Sequence, residues 1–130
     1  MAEKKIKFRE RIIPELGTKL LLGKNEENND ELMKQFKGKE NTIIHTAAPG
    51  SPFCVIEENL KPTKQIISAS GSICVGYSQD WRDNKGDVMV DVFTGKDISK
   101  NIFMKKGTWK VKHAKKLKIK KEDILKFKEK

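Results

Sequence analysis

The chain has few residues that carry covalent, redox or metal chemistry. Its two cysteines, Cys54 and Cys74, sit in the apolar contexts Phe53-Cys54-Val55 and Ile73-Cys74-Val75, with no Cys-x-x-Cys spacing and no histidine at ligand distance. That pattern argues against a disulfide framework or a zinc site and for buried free thiols. The two histidines, His45 and His113, lie in different motifs, so acid–base chemistry near neutral pH has little to work with. The sequence contains no nucleophile elbow, P-loop, dinucleotide-binding glycine pattern or paired-carboxylate motif. No metal or cofactor is expected. Catalysis would have to use His45 as a base, with Ser51 as nucleophile and Asp30 or Asp80 orienting it, and a non-catalytic binding role is favoured. No apolar run approaches the ~18 residues of a membrane span, and Met1-Ala2-Glu3-Lys4-Lys5 lacks an apolar leader core. A cytoplasmic protein is the expectation.

What is plentiful is lysine, and it is unevenly placed. Residues 1–99 hold 15 Lys+Arg against 15 Asp+Glu, whereas residues 100–130 hold 13 Lys against 3 acids, so the last quarter carries the whole net charge of +10. A field concentrated in one region attracts a polyanion, while an isolated charge run is more often a solvated tail. Apolar residues interrupt this run at regular intervals, which favours a folded basic face.

The length suits one domain spanning 1–130. Lys5-Ile6-Lys7-Phe8-Arg9 alternates as a strand with its basic side outward; Pro14 and Gly17 mark a turn, and Thr18–Leu22 reads as a second strand. A helix is predicted over 26–37, closed by Gly38 and capped by Asn25, Asn28 or Asn29. Strands follow at 41–46 and 53–57. A long helix opens at Pro62 and runs to about Gln79, with Ile66, Ser70, Ile73, Cys74, Tyr77 and Trp81 on one face. Its small residues, Gly71 among them, suit tight packing on a sheet. After a turn at 83–86, residues 87–93 form a strand. In the lysine-rich end, Trp109 and Val111 alternate with Lys110 and Lys112, and Leu117 and Ile119 alternate with Lys116, Lys118 and Lys120. Period-two spacing predicts a strand pair turned near His113-Ala114, with all five lysines on its outer surface. A short helix over 122–128 ends the chain. The fold class is therefore α+β: a mixed or mostly antiparallel sheet covered by one long helix, with shorter helices near 26–37 and 122–128.

Two polar loops carry the functional signal. Gly23-Lys24-Asn25 opens the first helix, whose N-terminus favours an anion. In His45-Thr46-Ala47-Ala48-Pro49-Gly50-Ser51-Pro52, Pro49 and Gly50 suit positions i+1 and i+2 of a type II turn that brings His45 and Ser51 to one rim. The set Gly23, Lys24, Asn25, Asn29, Asp30 and Leu32, followed by Ile44, His45, Thr46, Pro49, Gly50 and Ser51, resembles the NFACT-R domain. That domain is the RNA-binding portion of NFACT proteins, which tag stalled nascent chains on the large ribosomal subunit. Tyr77-Ser78 and Gly107-Thr108-Trp109 are similar to later family features, while Pro52 stands where the family usually has a second histidine. A chain of 130 residues has no room for the other domains of the larger NFACT proteins, so a free-standing NFACT-R protein is expected. The resemblance implies binding to tRNA or rRNA, with the large ribosomal subunit as a potential partner, in quality control of stalled chains or as an accessory to tRNA modification. The expected contacts are Lys24, Asn25, Asn29, Asp30, His45, Pro49, Gly50 and Ser51, with Lys110, Lys112, Lys116, Lys118 and Lys120 supplying phosphate neutralisation. The other class left open is a protein-docking module using an apolar rim around Phe53 and Trp81, its lysines serving only solubility. Oligomeric state is not legible.

Overall fold

A computed structural model describes residues 7–46, 48 and 51–128. Among them, strands β1 (Arg9–Ile13), β2 (Thr18–Leu22), β3 (Thr42–Thr46), β4 (Phe53–Ile56), β5 (Val88–Thr94) and β8 (Lys115–Ile119) form a sheet. Its order is β1-β2-β4-β3-β5-β8, and every neighbouring pair is antiparallel. Alternation along these strands sends side chains to two faces, and both faces are covered.

On the first face lie Leu20, Leu22, Ile44, Cys54, Ile56, Val90 and Ile119, beneath helix α2 (Lys64–Gly76). Helix α4 (Lys121–Lys128) closes over α2 through Ile124, which is fully buried. Enclosed between sheet and helix, α2 is buried nearly all round from Ala69 to Gly76, wider than the single apolar face expected. At Gly71 α2 lies close against the sheet: a Cβ there would stand 2.7 Å from the Ile119 Cδ1. The small residues of this helix therefore do serve close packing. The second face presents Leu21, Ile43, Phe53, Val55 and Phe93 to helix α1 (Glu26–Phe36) and to a two-stranded ribbon, β6 (Ile98–Ser99) with β7 (Lys110–Val111).

Three sequence expectations are corrected. The first strand begins at Arg9 and runs to Ile13; Lys7 and Phe8 precede it, and Lys5 and Ile6 lie outside the described residues. Its core-side face is Arg9, Arg11 and Ile13, because Ile13 must be buried. The long helix stops at Gly76, since the buried Ser78 takes an extended conformation, donates to the Val75 carbonyl and accepts from the Trp81 amide. It thereby caps a separate helix, α3 (Gln79–Asn84), at a position where helix would otherwise continue. Finally, the two lysine-bearing strands do not pair with each other. β8 extends the sheet beside β5, burying Ile119, while β7 joins β6 over the opposite face with Trp109 and Val111 inward. Each strand's apolar residues find a different core, so residues 112–114 carry the chain between layers rather than turning a hairpin.

Candidate nucleic-acid interface

At the end of the sheet where β2 and β3 finish and β1 and β4 begin, a cleft of about 440 Å³ opens. Its walls come from Gly23 to Glu26 with Asn29; from His45, Ala48 and Ser51 to Phe53; from Arg9, Tyr77 and Arg82; from Asp91 and Phe93; and from Lys106 to Trp109 with Val111. The two polar loops singled out in the sequence thus share one site.

The first loop is held by close approach and by capping. The Gly23 amide donates to the Phe53 carbonyl at 3.2 Å, and a Cβ on Gly23 would lie 1.8 Å from Asn29 Oδ1. Asn29 is buried; its Oδ1 accepts from the Phe53 amide and its Nδ2 donates to the Ser51 carbonyl, so it fastens α1 to the returning end of the second loop. Asn25 is the N-cap, accepting from the Asn28 amide at 2.8 Å, while Asn28 Oδ1 accepts from the Lys24 amide at 2.9 Å. Glu26 and Glu27 already face the positive pole of α1, leaving the exposed Lys24 and Asn25 as the groups this loop offers a ligand.

Asp30 is a scaffold. Its Oδ1 accepts from Lys100 Nζ at 2.7 Å, the Gly107 amide at 2.9 Å and Trp109 Nε1 at 2.9 Å. Burial pushes its carboxyl up, but the bonds from Lys100, Trp109 and Gly107 outweigh burial and hold it below the usual carboxylate range. One buried oxygen therefore fixes the whole 100–109 wall against α1.

His45 stacks on Phe53, and in the strand register Phe53, His45, Asp91 and Lys116 form one row across β4, β3, β5 and β8. Lys116 Nζ pairs with Asp91 at 2.5 Å. Burial pushes the imidazole down to about 4, against the pull of Asp91, a hydrogen bond to the Ser51 backbone and the charge of Asp80. At neutral pH the ring is an uncharged platform with hydrogen-bonding edges. Ser51 is buried; its hydroxyl donates to Asp80 at 3.1 Å and accepts from the Gln79 amide at 3.2 Å. Thr46 donates to the same Asp80 oxygen. Asp80 therefore fastens the loop to α3, and it, not His45, accepts the Ser51 hydroxyl proton. Pro49 and Gly50, with their expected type II turn, lie outside the described residues.

A basic wall was not read from the sequence. The guanidinium of Arg9 lies 4.4 Å from the Tyr77 ring centroid and that of Arg11 5.8 Å, with Arg11 donating to the Tyr77 hydroxyl at 2.9 Å. Arg82 adds its charge to the same wall, its guanidinium donating to Gln79 Oε1 and the Tyr77 carbonyl. Alternation from the buried Ile13 back to Arg9 was the available signal, masked by placing the strand too early. The lysine face is divided. Lys116 and Lys118 alternate with the core residues of β8 and share the sheet face of Asp91, and Lys120 is exposed where α4 begins. Lys110 and Lys112, alternating with the cleft-lining Trp109 and Val111, are exposed on the outer side of the ribbon. Phe53 and Trp81, around which an apolar docking rim was expected, are each only 2% exposed.

The sequence matches the model of the NFACT protein RNA binding domain over residues 8–113. The chain belongs to this family. RNA is accordingly the partner class its family assignment supports, within a translation-related group of proteins. The NFACT-R fold is also that of a solved structure, the C-terminal part of the fibronectin/fibrinogen-binding protein from Streptococcus suis. The similarity has a TM-score of 0.80 at 25% identity and covers 96% of this chain and 50% of that one. This NFACT-R domain thus spans about half the length of that solved chain. No curated protein matches the sequence.

Proposed function

We propose that this domain binds structured RNA of the translation machinery, tRNA or rRNA, in the cleft at the end of its sheet. It would act in the cytoplasm without transforming its ligand, either in ribosome-associated quality control or as an accessory to tRNA modification. The observation that carries this reading is the convergence of Arg9, Arg82, Lys24 and Lys106 with the His45–Phe53 stack around one opening. Cationic groups neutralise phosphates without regard to sequence, while a flat neutral ring and the Asn25 loop can meet an unstacked base or a 2′-hydroxyl. Lys118 of β8, on the same sheet face as His45, adds to the positive field, while Lys116 is paired with Asp91.

The test is binding of the purified protein to tRNA, an rRNA fragment and matched DNA across a salt series. The proposal expects affinity that falls steeply with ionic strength and favours RNA over DNA. Affinity indifferent to salt would reject the charged walls, and equal binding to RNA and DNA would reject the loops as readers. Pull-down with and without ribonuclease separates RNA binding from protein docking, since a protein contact survives digestion.

A further inference from the structure

We propose that Ile102 and Phe103 form an apolar wedge that takes an unpaired base of the RNA bound in the neighbouring cleft. The proposal rests on the RNA-binding reading above and names an element outside the cleft. Ile102 is 91% exposed and Phe103 89% exposed, the two most exposed large hydrophobic side chains among the described residues. They do not dangle: the Phe103 amide donates to Asn101 Oδ1 at 2.9 Å, the Met104 amide to the Asn101 carbonyl at 3.2 Å, and the Thr108 amide to the Lys105 carbonyl at 3.0 Å. The base of the loop is clamped on Asp30 through Lys100 and Gly107. A folded loop thus holds an aromatic ring out in water, at the end of a wall whose inner part, Lys106 to Trp109, lines the cleft.

Charge selects the occupant. Lys105 and Lys106, both exposed, follow the apolar pair directly, so a partner there must bring negative charge together with a flat apolar face. An unstacked nucleotide offers both, a phosphate for the lysines and a base for the ring. Phe103 stands three residues from the cleft-lining Lys106, a chain separation of at most about 11 Å.

The experiment compares Phe103→Ala and Phe103→Trp with the parent protein on three probes: an RNA hairpin with an unpaired loop, a blunt RNA duplex of equal phosphate number, and phosphatidylserine vesicles. Phe103→Ala is expected to weaken hairpin binding about tenfold, as base–aromatic stacking does, and to leave duplex binding and the salt slope unchanged. Phe103→Trp should restore hairpin affinity. Unchanged hairpin affinity in Phe103→Ala, or equal losses on hairpin and duplex, overturns the wedge while leaving the cleft reading intact. Vesicle capture that Phe103→Ala abolishes, with RNA binding unaltered, replaces the base by a lipid surface. Failure of the parent protein to bind either RNA overturns the cleft reading and the wedge together.

Discussion

The imidazole of His45 lies flat on the ring of Phe53, with centroids 4.0 Å apart and planes 11° from parallel. Its pKa is pushed from 6.5 down to about 4, chiefly by burial. A folded-state value below the unfolded one means that the neutral ring's contribution to stability is present above pH 6.5. It is lost as pH falls from there toward 4, where the unfolded chain binds a proton that the folded chain refuses. Urea unfolding at pH 7.0, 5.5 and 4.5 should show stability falling by up to about 3 kcal/mol from this residue. His45→Phe, which keeps a stacked ring, should flatten that slope. His45→Phe should leave the pH dependence of RNA affinity between pH 6 and 8 unchanged, and a transition in that range that the substitution removes would mean the charged imidazole is the binding form.

Asp30 joins α1 to the 100–109 wall through three donors on one oxygen. Asp30→Ala leaves all three without their acceptor and should destabilise the fold by about 3 kcal/mol, read from chemical denaturation. With its folded pKa depressed, the contribution of the carboxylate is present above its unfolded value of 3.8 and disappears as pH falls through the lower folded value. Protease cleavage within 100–109 should accelerate in the variant, because the clamp is gone. Unaltered stability would mean that water replaces the carboxylate at no cost.

Gly23 and Asn29 are coupled by contact. Gly23→Ala places a methyl 1.8 Å from Asn29 Oδ1 and should cost about 2 kcal/mol, as overpacking does. In a double-mutant cycle with Asn29→Ala the two losses should sum to more than the double variant shows, since removing the amide relieves the clash. Strict additivity would show that the strain is not between these two residues.

Arg9 and Arg82 line the cleft beside Tyr77. Arg9→Gln and Arg82→Gln should each weaken RNA binding and reduce the slope of log affinity against log salt by roughly one or less. Lys110→Gln, on the outer side of the ribbon, should do neither. A larger effect at Lys110 than at Arg9 would move the interface to the ribbon.

The helix from Glu26 and the strand around 88–93 were legible because burial on one face imposes a period of 3.6 or two on local sequence, and the strand at 18–22, buried on both faces, by its short apolar run ended by Gly23. The boundary at Ser78 was hidden because the Tyr77 and Trp81 spacing continues through it, and only the hydroxyl's bonds to Val75 and Trp81 end the helix. The candidate site was legible in part: Lys24, Asn25, Asn29, His45 and Ser51 were named from two loops and line one cleft, whereas the bonds by which Asn29, Asp30 and Ser51 fasten neighbouring segments were not read. A polar side chain looks the same in sequence whether its partner is a ligand or another segment.

By itself, the sequence determined the composition of the chain's elements, the concentration of positive charge in its last quarter and the family to which it belongs, all of which are local or additive properties. Only tertiary structure decided that the lysine strands part company, that Arg9 and Arg82 stand beside Tyr77, and that one oxygen of Asp30 anchors a segment more than 70 residues away. Those outcomes depend on which apolar residues share a core, and alternation states that a side chain is buried without stating against what.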